Sequence, residues 1–249
     1  MKRKSYTGVI NIIRFNWHHF AIAFVVAASL LIGSHWIPES LRVFTYSAVG
    51  VIFLTVGISL GVSHFIYDRS ELNTFKWLHN YLNKDEKQIA NFHAGFDESS
   101  EFIQAEFPES VLKVFDFFNA DSHSEISIRR ARKYSSKFEG TISIHSEKVP
   151  LAENSMDNAL VILAAHELRK PEDRVHFLKE IHRITHINGS VIVVEHLRDF
   201  SNFTAFTFGA FHFFSKKEWL RNFSQAGLKL QSERKLTPFI SIFHLKIMK

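Results

Sequence analysis

The sequence predicts an α/β protein: a mostly parallel seven-stranded sheet with an antiparallel last strand, preceded by a transmembrane helical hairpin. Three observations predict it. Two long runs near the N-terminus lack Asp, Glu, Lys and Arg: 24 residues between Arg14 and Glu39, and 25 between Arg42 and Asp68. Beyond them, strand-like and helix-like segments alternate, which implies parallel strands covered on both faces. The last two strand-like segments have no helix between them, so they should pair as an antiparallel hairpin.

Composition narrows the function classes. The 249 residues are enough for one good-sized domain and an appendage. With 46% hydrophobic residues and 26 Phe, a large core is available. There is no cysteine, which excludes disulfides, thiolate metal sites and cysteine nucleophiles. The net charge of +5 is scattered rather than gathered in a stripe, so nucleic acid is not an expected partner, and attraction to anionic membrane lipid is.

The first element is the anchor, residues 1–67. A spanning helix needs about 20 apolar residues, and "FAIAFVVAASLLIGSHW" and "FTYSAVGVIFLTVGISLGVSHFIY" both qualify. Trp17, Trp36, Tyr46 and Tyr67 flank the spans, as interfacial aromatic residues do. A cleaved signal peptide or a buried soluble hairpin would give a similar first run, but a second run so close behind favours two spans. Gly50, Gly57 and Gly61 offer small-residue packing for the hairpin, with Ala23, Ala27 and Ala28 on the facing helix. Lys2, Arg3, Lys4 and Arg14 precede the first span, and Arg69 and Lys76 follow the second; only Arg42 lies between. Positive flanks place both termini and the following domain in the cytoplasm.

"DRSELNTFKWLHNYL" repeats apolar residues at three- and four-residue steps, which predicts an amphipathic linker helix over 68–87. From 88 to 249 the elements read in order. "QIANFHA" is a strand, and "DESSEFIQAEF" a helix with Asp97 at its start. "VLKVFDFF" is a strand, "SEISIRRARKY" a helix with basic residues late, and "GTISIHS" a strand. "DNALVILAA" is a strand, followed by a helix opened by Pro171 with Gly189 near its end, then the strand "SVIVVEH". "SKKEWLRNFSQAG" is a helix between Ser215 and Gly227, and "LKLQSERKL" and "FISIFHLKIM" are the closing strands. Ligands of such sheets bind beyond the carboxyl ends of the strands. That crest carries Gly95, Asp116, Ser146, His166 and His196.

This order resembles the class I S-adenosylmethionine-dependent methyltransferases, a Rossmann-like family, over roughly Gln88 to Lys249. Asp116 in "LKVFDFF" matches the family's acid near the end of the second strand. "HSEKVPLAENSMDNALVILAAHEL", "FLKEIHRITHINGSVIVVEH" and "KEWLRNFSQAGLKLQSERKL" match its later strand, turn and helix segments. The first motif departs from the pattern. "NFHAGFDESS" has one glycine, Gly95, where the family carries three, and Asn91 where it carries an acid. Asp97 or Glu98 are candidates to supply that charge instead.

The resemblance implies S-adenosylmethionine as cofactor. Asn91, Gly95, Asp116, Ser146 and Glu147 are then the expected cofactor-binding residues. Asp116 would accept the ribose hydroxyls, since a carboxylate is a strong bidentate acceptor; its bland alternative is capping the following turn. Gly95 would admit the ligand to the backbone, or simply serve a turn. His166, Glu167 and His196, with Glu195, end the fourth and fifth strands. His166 is the expected general base. The bland alternative is histidines bonded to loop backbone, and the same four residues would also suit an oxygen/nitrogen metal site, although none is assigned. "DFSNFTAFTFGAFHFF" holds seven Phe between the fifth strand and the next helix, where an apolar lid would admit a lipophilic small molecule. A helix packed on the sheet is the plain reading of that stretch.

The expected function is a membrane-anchored methyltransferase acting on a lipophilic acceptor. The competing reading is a catalytically silent relative serving as membrane scaffold or ligand sensor. A nicotinamide oxidoreductase is disfavoured, since neither Tyr-x-x-x-Lys nor Gly-x-Gly-x-x-Gly occurs.

Overall fold

In a computed structural model of the chain, residues 5–82, 87–120, 125–135 and 137–248 are described. Seven strands form one sheet in the order β3-β2-β1-β4-β5-β7-β6. They are β1 (Gln88–His93), β2 (Val111–Asp116), β3 (Ile142–Ser143), β4 (Met156–Ile162), β5 (Thr185–His196), β6 (Leu228–Thr237) and β7 (Ile240–Ile247). The β1–β5 pairings are parallel, and β7 runs antiparallel to both β5 and β6. The expected topology is present, with the closing hairpin inserted so that β7, not β6, lies against β5.

The alternation of side chains along the inner strands explains the two-sided core. Ala90, Phe92, Phe115, Ala159, Val161, Val191, Val193 and Phe243 point to one face, where Phe177, Leu178 and Ile181 of α5 (Pro171–Ile184) meet Trp219 and Phe223 of α7 (Lys216–Gln225). Ile89, Leu160, Ile192, Val194, Ile240 and Ile242 point to the other. Each Val, Leu, Ile or Phe among them, fully buried, contributes about 1.5–3 kcal/mol.

The second face holds a correction. The predicted linker helix over 68–87 is not one helix. Its described part is a π turn (Phe65–Arg69) and two 3-10 turns (Glu71–Thr74, Lys76–Asn80), broken by Phe75 at φ 54°; residues 83–86 lie outside the described residues. The three-to-four-residue apolar spacing is real, but its cause is tertiary. Ile66, Leu72, Phe75, Trp77 and Leu78 are buried against the sheet beside Ile103 of α3 (Ser100–Glu106). The segment is a wall of the core.

Gly189 also has a different place from the expected one. Strand β5 begins at Thr185, directly after α5, so Gly189 lies within the strand. The β4–β5 register shifts between Met156 and Asn158, and a Cβ on Gly189 would come within 2.4 Å of the Asp157 carbonyl. The bulge demands a glycine there. The Asp157 carboxylate accepts from the amides of Lys87 and Gln88, both at 2.9 Å, and ties the start of β1 to β4.

The N-terminal helices are α1 (Thr7–Gly33) and α2 (Glu39–His64). Both are long and apolar enough to cross a membrane. Their apolar side chains, among them Phe24, Val25, Phe53 and Leu54, are exposed rather than buried in a core. Ala27 of α1 is buried as expected, but Gly50, Gly57 and Gly61 face open space, so they do not serve the α1–α2 contact. The close approach is made by Gly8, where a Cβ would lie 2.4 Å from Cβ of Tyr67. Gly8 and Val9 donate their amides to the Asp68 carboxylate at 2.6 and 3.0 Å, so a residue after α2 satisfies the start of α1.

Candidate active site

The crest of the sheet divides into a β1–β2 side and a β4–β5 side. On the first, β1 and β2 run in register, with His93 opposite Asp116. The loop after β1 turns at Gly95, whose φ of 89° suits glycine. Asp116 is buried, with Oδ1 accepting from the Phe118 amide at 3.0 Å and Oδ2 accepting from Arg132 at 2.7 Å. The Phe118 bond is the turn-capping role; the Arg132 bond was not foreseen. Arg132 ends α4 (Ile126–Arg132), and its guanidinium lies 4.6 Å from the centroid of the Phe118 ring. The late basic residues of this helix suit its dipole, and nothing in their pattern singles out Arg132.

Asn91 and His93 stand beside this pair. Asn91 donates to the hydroxyls of Ser99 and Ser100 at 2.8 and 2.9 Å. The Gly95 amide donates to His93 Nδ1 at 3.2 Å, which leaves the proton on Nε2. Burial pushes the His93 pKa down, so it is a neutral imidazole near pH 7 despite Asp116 Oδ1 at 3.9 Å. Asp97 turns Oδ1 to the amides of Ser99 and Ser100, each at 3.0 Å. Phe96 packs edge-on against Phe15 of α1, with centroids 5.2 Å apart.

On the β4–β5 side, the chain leaves β4 through Leu163 at φ 50°, a conformation that costs a non-glycine residue free energy and clusters at functional sites. A 3-10 turn, Ala165–Glu167, then presents His166 and Glu167. His166 Nδ1 bonds to Glu195 Oε2 at 2.7 Å, and Nε2 lies 3.4 Å from Glu167 Oε1. Burial alone would depress the His166 pKa, but Glu195 and Glu167 together outweigh it and raise it to about 10. His166 is therefore an imidazolium at neutral pH.

His212 stands across from it, rings 5.1 Å apart, and bonds through Nδ1 to Glu125 at 2.7 Å. His212 ends the lid, which is α6 (Phe200–Phe206) and a 3-10 segment (Thr207–His212). His212, Glu125 and Arg169 were missed by sequence reasoning; His212 is hidden in a run of Phe, and Glu125 acts across the chain.

His196 is set apart from this group. It is buried, accepts from or donates to Tyr67 Oη through Nε2 at 2.8 Å, and turns Nδ1 to Asn202 Oδ1 and the Phe239 carbonyl, both at 3.1 Å. Two acceptors at Nδ1 put the proton there, so Nε2 accepts from the Tyr67 hydroxyl. Burial, the largest influence, holds the His196 pKa down to about 3. Ser146 and Glu147 are not brought to the rest. Glu147 is exposed and shares a shallow hollow with Val149, Glu180 and Arg183 on the flank of the sheet.

Residues 112–193 match the sequence family described as a methyltransferase domain. The domain that follows α1 and α2 has the fold of the class I S-adenosylmethionine-dependent methyltransferases. No curated protein matches this chain by sequence. Solved structures share its fold. A S-adenosylmethionine-dependent methyltransferase from Methanosarcina mazei is 15% identical, covers 70% of this chain and 98% of its own, and has a TM-score of 0.52. A mitomycin 7-O-methyltransferase is 10% identical, spans 98% of this chain and 73% of its own, with a TM-score of 0.53. The geranyl diphosphate C-methyltransferase of Streptomyces coelicolor, solved with Mg2+, geranyl diphosphate and S-adenosyl-L-homocysteine, is 12% identical. It covers 72% of this chain and 79% of its own, with a TM-score of 0.50.

The donor set of the β1–β2 side fits this cofactor. Asn91 Oδ1 and Asp97 Oδ2 are buried acceptors without a hydrogen-bond partner, and His93 Nε2 is a buried donor without one. Unmet polar atoms at such a place are costly unless a ligand meets them. Two free acceptors suit an ammonium group, and the Asp116 carboxylate suits paired hydroxyls. What fills the space above Gly95 is the Arg132 tip, 2.9 Å from where a Cβ would stand, together with the Phe118 side chain. The Arg132 side chain is one-third exposed, so it can swing out without unpacking the core.

Proposed function

We propose that this protein is a membrane-anchored methyltransferase whose acceptor is a lipophilic small molecule. The observation that carries the reading is the lid. Helix α6 packs against α2, and Phe200, Phe208 and Phe211 on the lid are among the most exposed apolar residues of the chain. Exposed apolar clusters of this kind mark membrane or ligand contacts. Placed beside an apolar helix, they would dip into the bilayer face and open the β4–β5 side of the crest to molecules dissolved there. A similar fold holds geranyl diphosphate, a prenyl compound, in the geranyl diphosphate C-methyltransferase.

In this reading α1 and α2 are the two spans, with both termini and the methyltransferase domain in the cytoplasm, facing anionic membrane lipid. S-adenosylmethionine supplies a methyl group on a good leaving group. Asp116 holds its ribose hydroxyls once Arg132 withdraws, Gly95 admits it to the backbone, and Asn91 and Asp97 receive its ammonium. Ser146 and Glu147 have no part in that grip unless the loop after β3 moves. On the acceptor side, Glu167 and Glu195 hold the His166 proton, and His196 supports the lid through Asn202. The test is methyl transfer from radiolabelled cofactor to an organic extract of the native membrane, using full-length protein in lipid nanodiscs. Label in the organic phase supports the reading; label only in water-soluble products contradicts it.

The closed Arg132–Asp116 pair favours a second reading, a silent methyltransferase-like scaffold or sensor in the membrane. A thermal shift of the detergent-purified protein on adding S-adenosylmethionine argues for the first reading, and no shift argues for this one.

A further inference from the structure

We propose that His166, Glu167 and His212 form a binding site for a divalent transition-metal ion of the zinc, manganese or iron(II) class, on the acceptor side of the crest. One ligand atom from each residue lies within 4.8 Å of the others. Bonds of about 2.0–2.2 Å in a tetrahedral site put ligand atoms roughly 3.4 Å apart. His166 Nε2 and Glu167 Oε1 already stand at 3.4 Å. His212, on the lid, completes the group within 4.8 Å.

The surroundings of the two histidines argue for a metal more than the distances do. A metal-bound imidazole almost always gives its other ring nitrogen to a carboxylate or carbonyl, which fixes its orientation. Both histidines are arranged this way. His166 Nδ1 is held by Glu195 and His212 Nδ1 by Glu125, each at 2.7 Å, so Nε2 of each ring is the ligand atom, and on His166 the ion replaces the proton that faces Glu167. Arg169 then clamps the backbone beneath both: its guanidinium donates to the His166 carbonyl at 3.1 Å and to the His212 carbonyl at 2.7 Å. Four elements from separate parts of the chain meet at this point, and Glu195 is fully buried.

The donor set names the class of ion. Two imidazoles and one carboxylate, with no sulfur, suit borderline first-row cations, and three protein ligands leave a position open. The open position would take an oxygen of the acceptor and polarise it. That last role rests on the methyl-transfer reading; ion binding does not.

Metal-stripped full-length protein in detergent is titrated with Co2+ and followed by its visible d–d absorption, with bound Zn2+ measured after dialysis. No S-adenosylmethionine is present, so failure here leaves the methyltransferase reading standing. The expected result is one ion per chain, loss of at least a hundredfold in affinity for His212→Ala and Glu167→Gln, and a 10- to 100-fold loss for the positioning change Glu125→Gln. His212 and Glu125 lie outside the core, so these two variants remain interpretable if Glu167→Gln does not fold. No uptake by the wild type overturns the proposal, leaving His166 as a proton-bridged partner of two carboxylates. Uptake that is equal in His212→Ala and Glu125→Gln also overturns it, because the ion then sits elsewhere.

Discussion

The Arg132 guanidinium occupies the Asp116 carboxylate at 2.7 Å, at the point of the crest where Gly95 opens the backbone. Asp116 is buried and Arg132 is not, so the pair is a lid of one side chain over a fixed acceptor.

Cofactor binding should therefore compete with Arg132. A hydrogen bond to a charged group is worth about 1.5–3 kcal/mol net, and about 1.4 kcal/mol is tenfold in affinity. Arg132→Met should tighten S-adenosylhomocysteine binding about tenfold while lowering the melting temperature of the free protein, because Asp116 loses its partner. Calorimetric titration and thermal melts of the same samples check both halves.

His196 gives the stability a pH dependence. Its pKa is about 3 in the folded chain against an ordinary 6.5. Between those values the unfolded chain binds the extra proton, so the contribution of His196 is complete above pH 6.5 and falls as pH drops towards 3, by about 1.4 kcal/mol per pH unit. The groups around it are the Tyr67 hydroxyl, Asn202 and the Phe239 carbonyl, with His166 and His212 adding repulsion to its charged form. His196→Gln, which keeps polar atoms, should flatten the stability profile between pH 6 and 4 in denaturant titrations.

Arg174 is fully buried in α5. It donates to the carbonyls of Leu168 and Arg169 at 2.6 and 2.9 Å, pairs with Glu218 of α7, and lies 3.7 Å over the Phe214 ring. Removing one partner of a buried pair costs about 3–5 kcal/mol. Arg174→Ala should lose that much, and a double cycle with Glu218→Ala should show strong coupling.

The lid makes a prediction about the membrane. Phe200, Phe208 and Phe211 changed together to Ser should leave the melting temperature within a few degrees, since all three are exposed. The triple variant should show a raised KM for a lipid-dissolved acceptor with kcat little changed. An unchanged KM would separate the lid from acceptor entry.

The sheet was legible because its signal is local. The runs "NALVI" and "VIVV" and the helixless last hairpin each carry their meaning in neighbouring residues. The segment 68–82 was misread because its apolar spacing satisfies a helix and a core wall equally; only Phe75 at positive φ decides between them. Gly189 was legible as a special position but not as part of a bulge, since the bulge shows only in the pairing of β5 with β4. The positions of Asp116, Gly95 and His166 along the crest could be read from strand ends. Arg132, Glu125 and His212 could not, because each acts on a residue far along the chain through contacts that no spacing encodes.

The central claim is that Asp116 and the loop at Gly95 hold S-adenosylmethionine. Calorimetric titration of S-adenosylhomocysteine into full-length protein in detergent, beside Asp116→Ala, tests it most directly. The account predicts one saturable site per chain, weakened at least tenfold in Asp116→Ala. No binding by the wild type, or equal binding by both proteins, would contradict it.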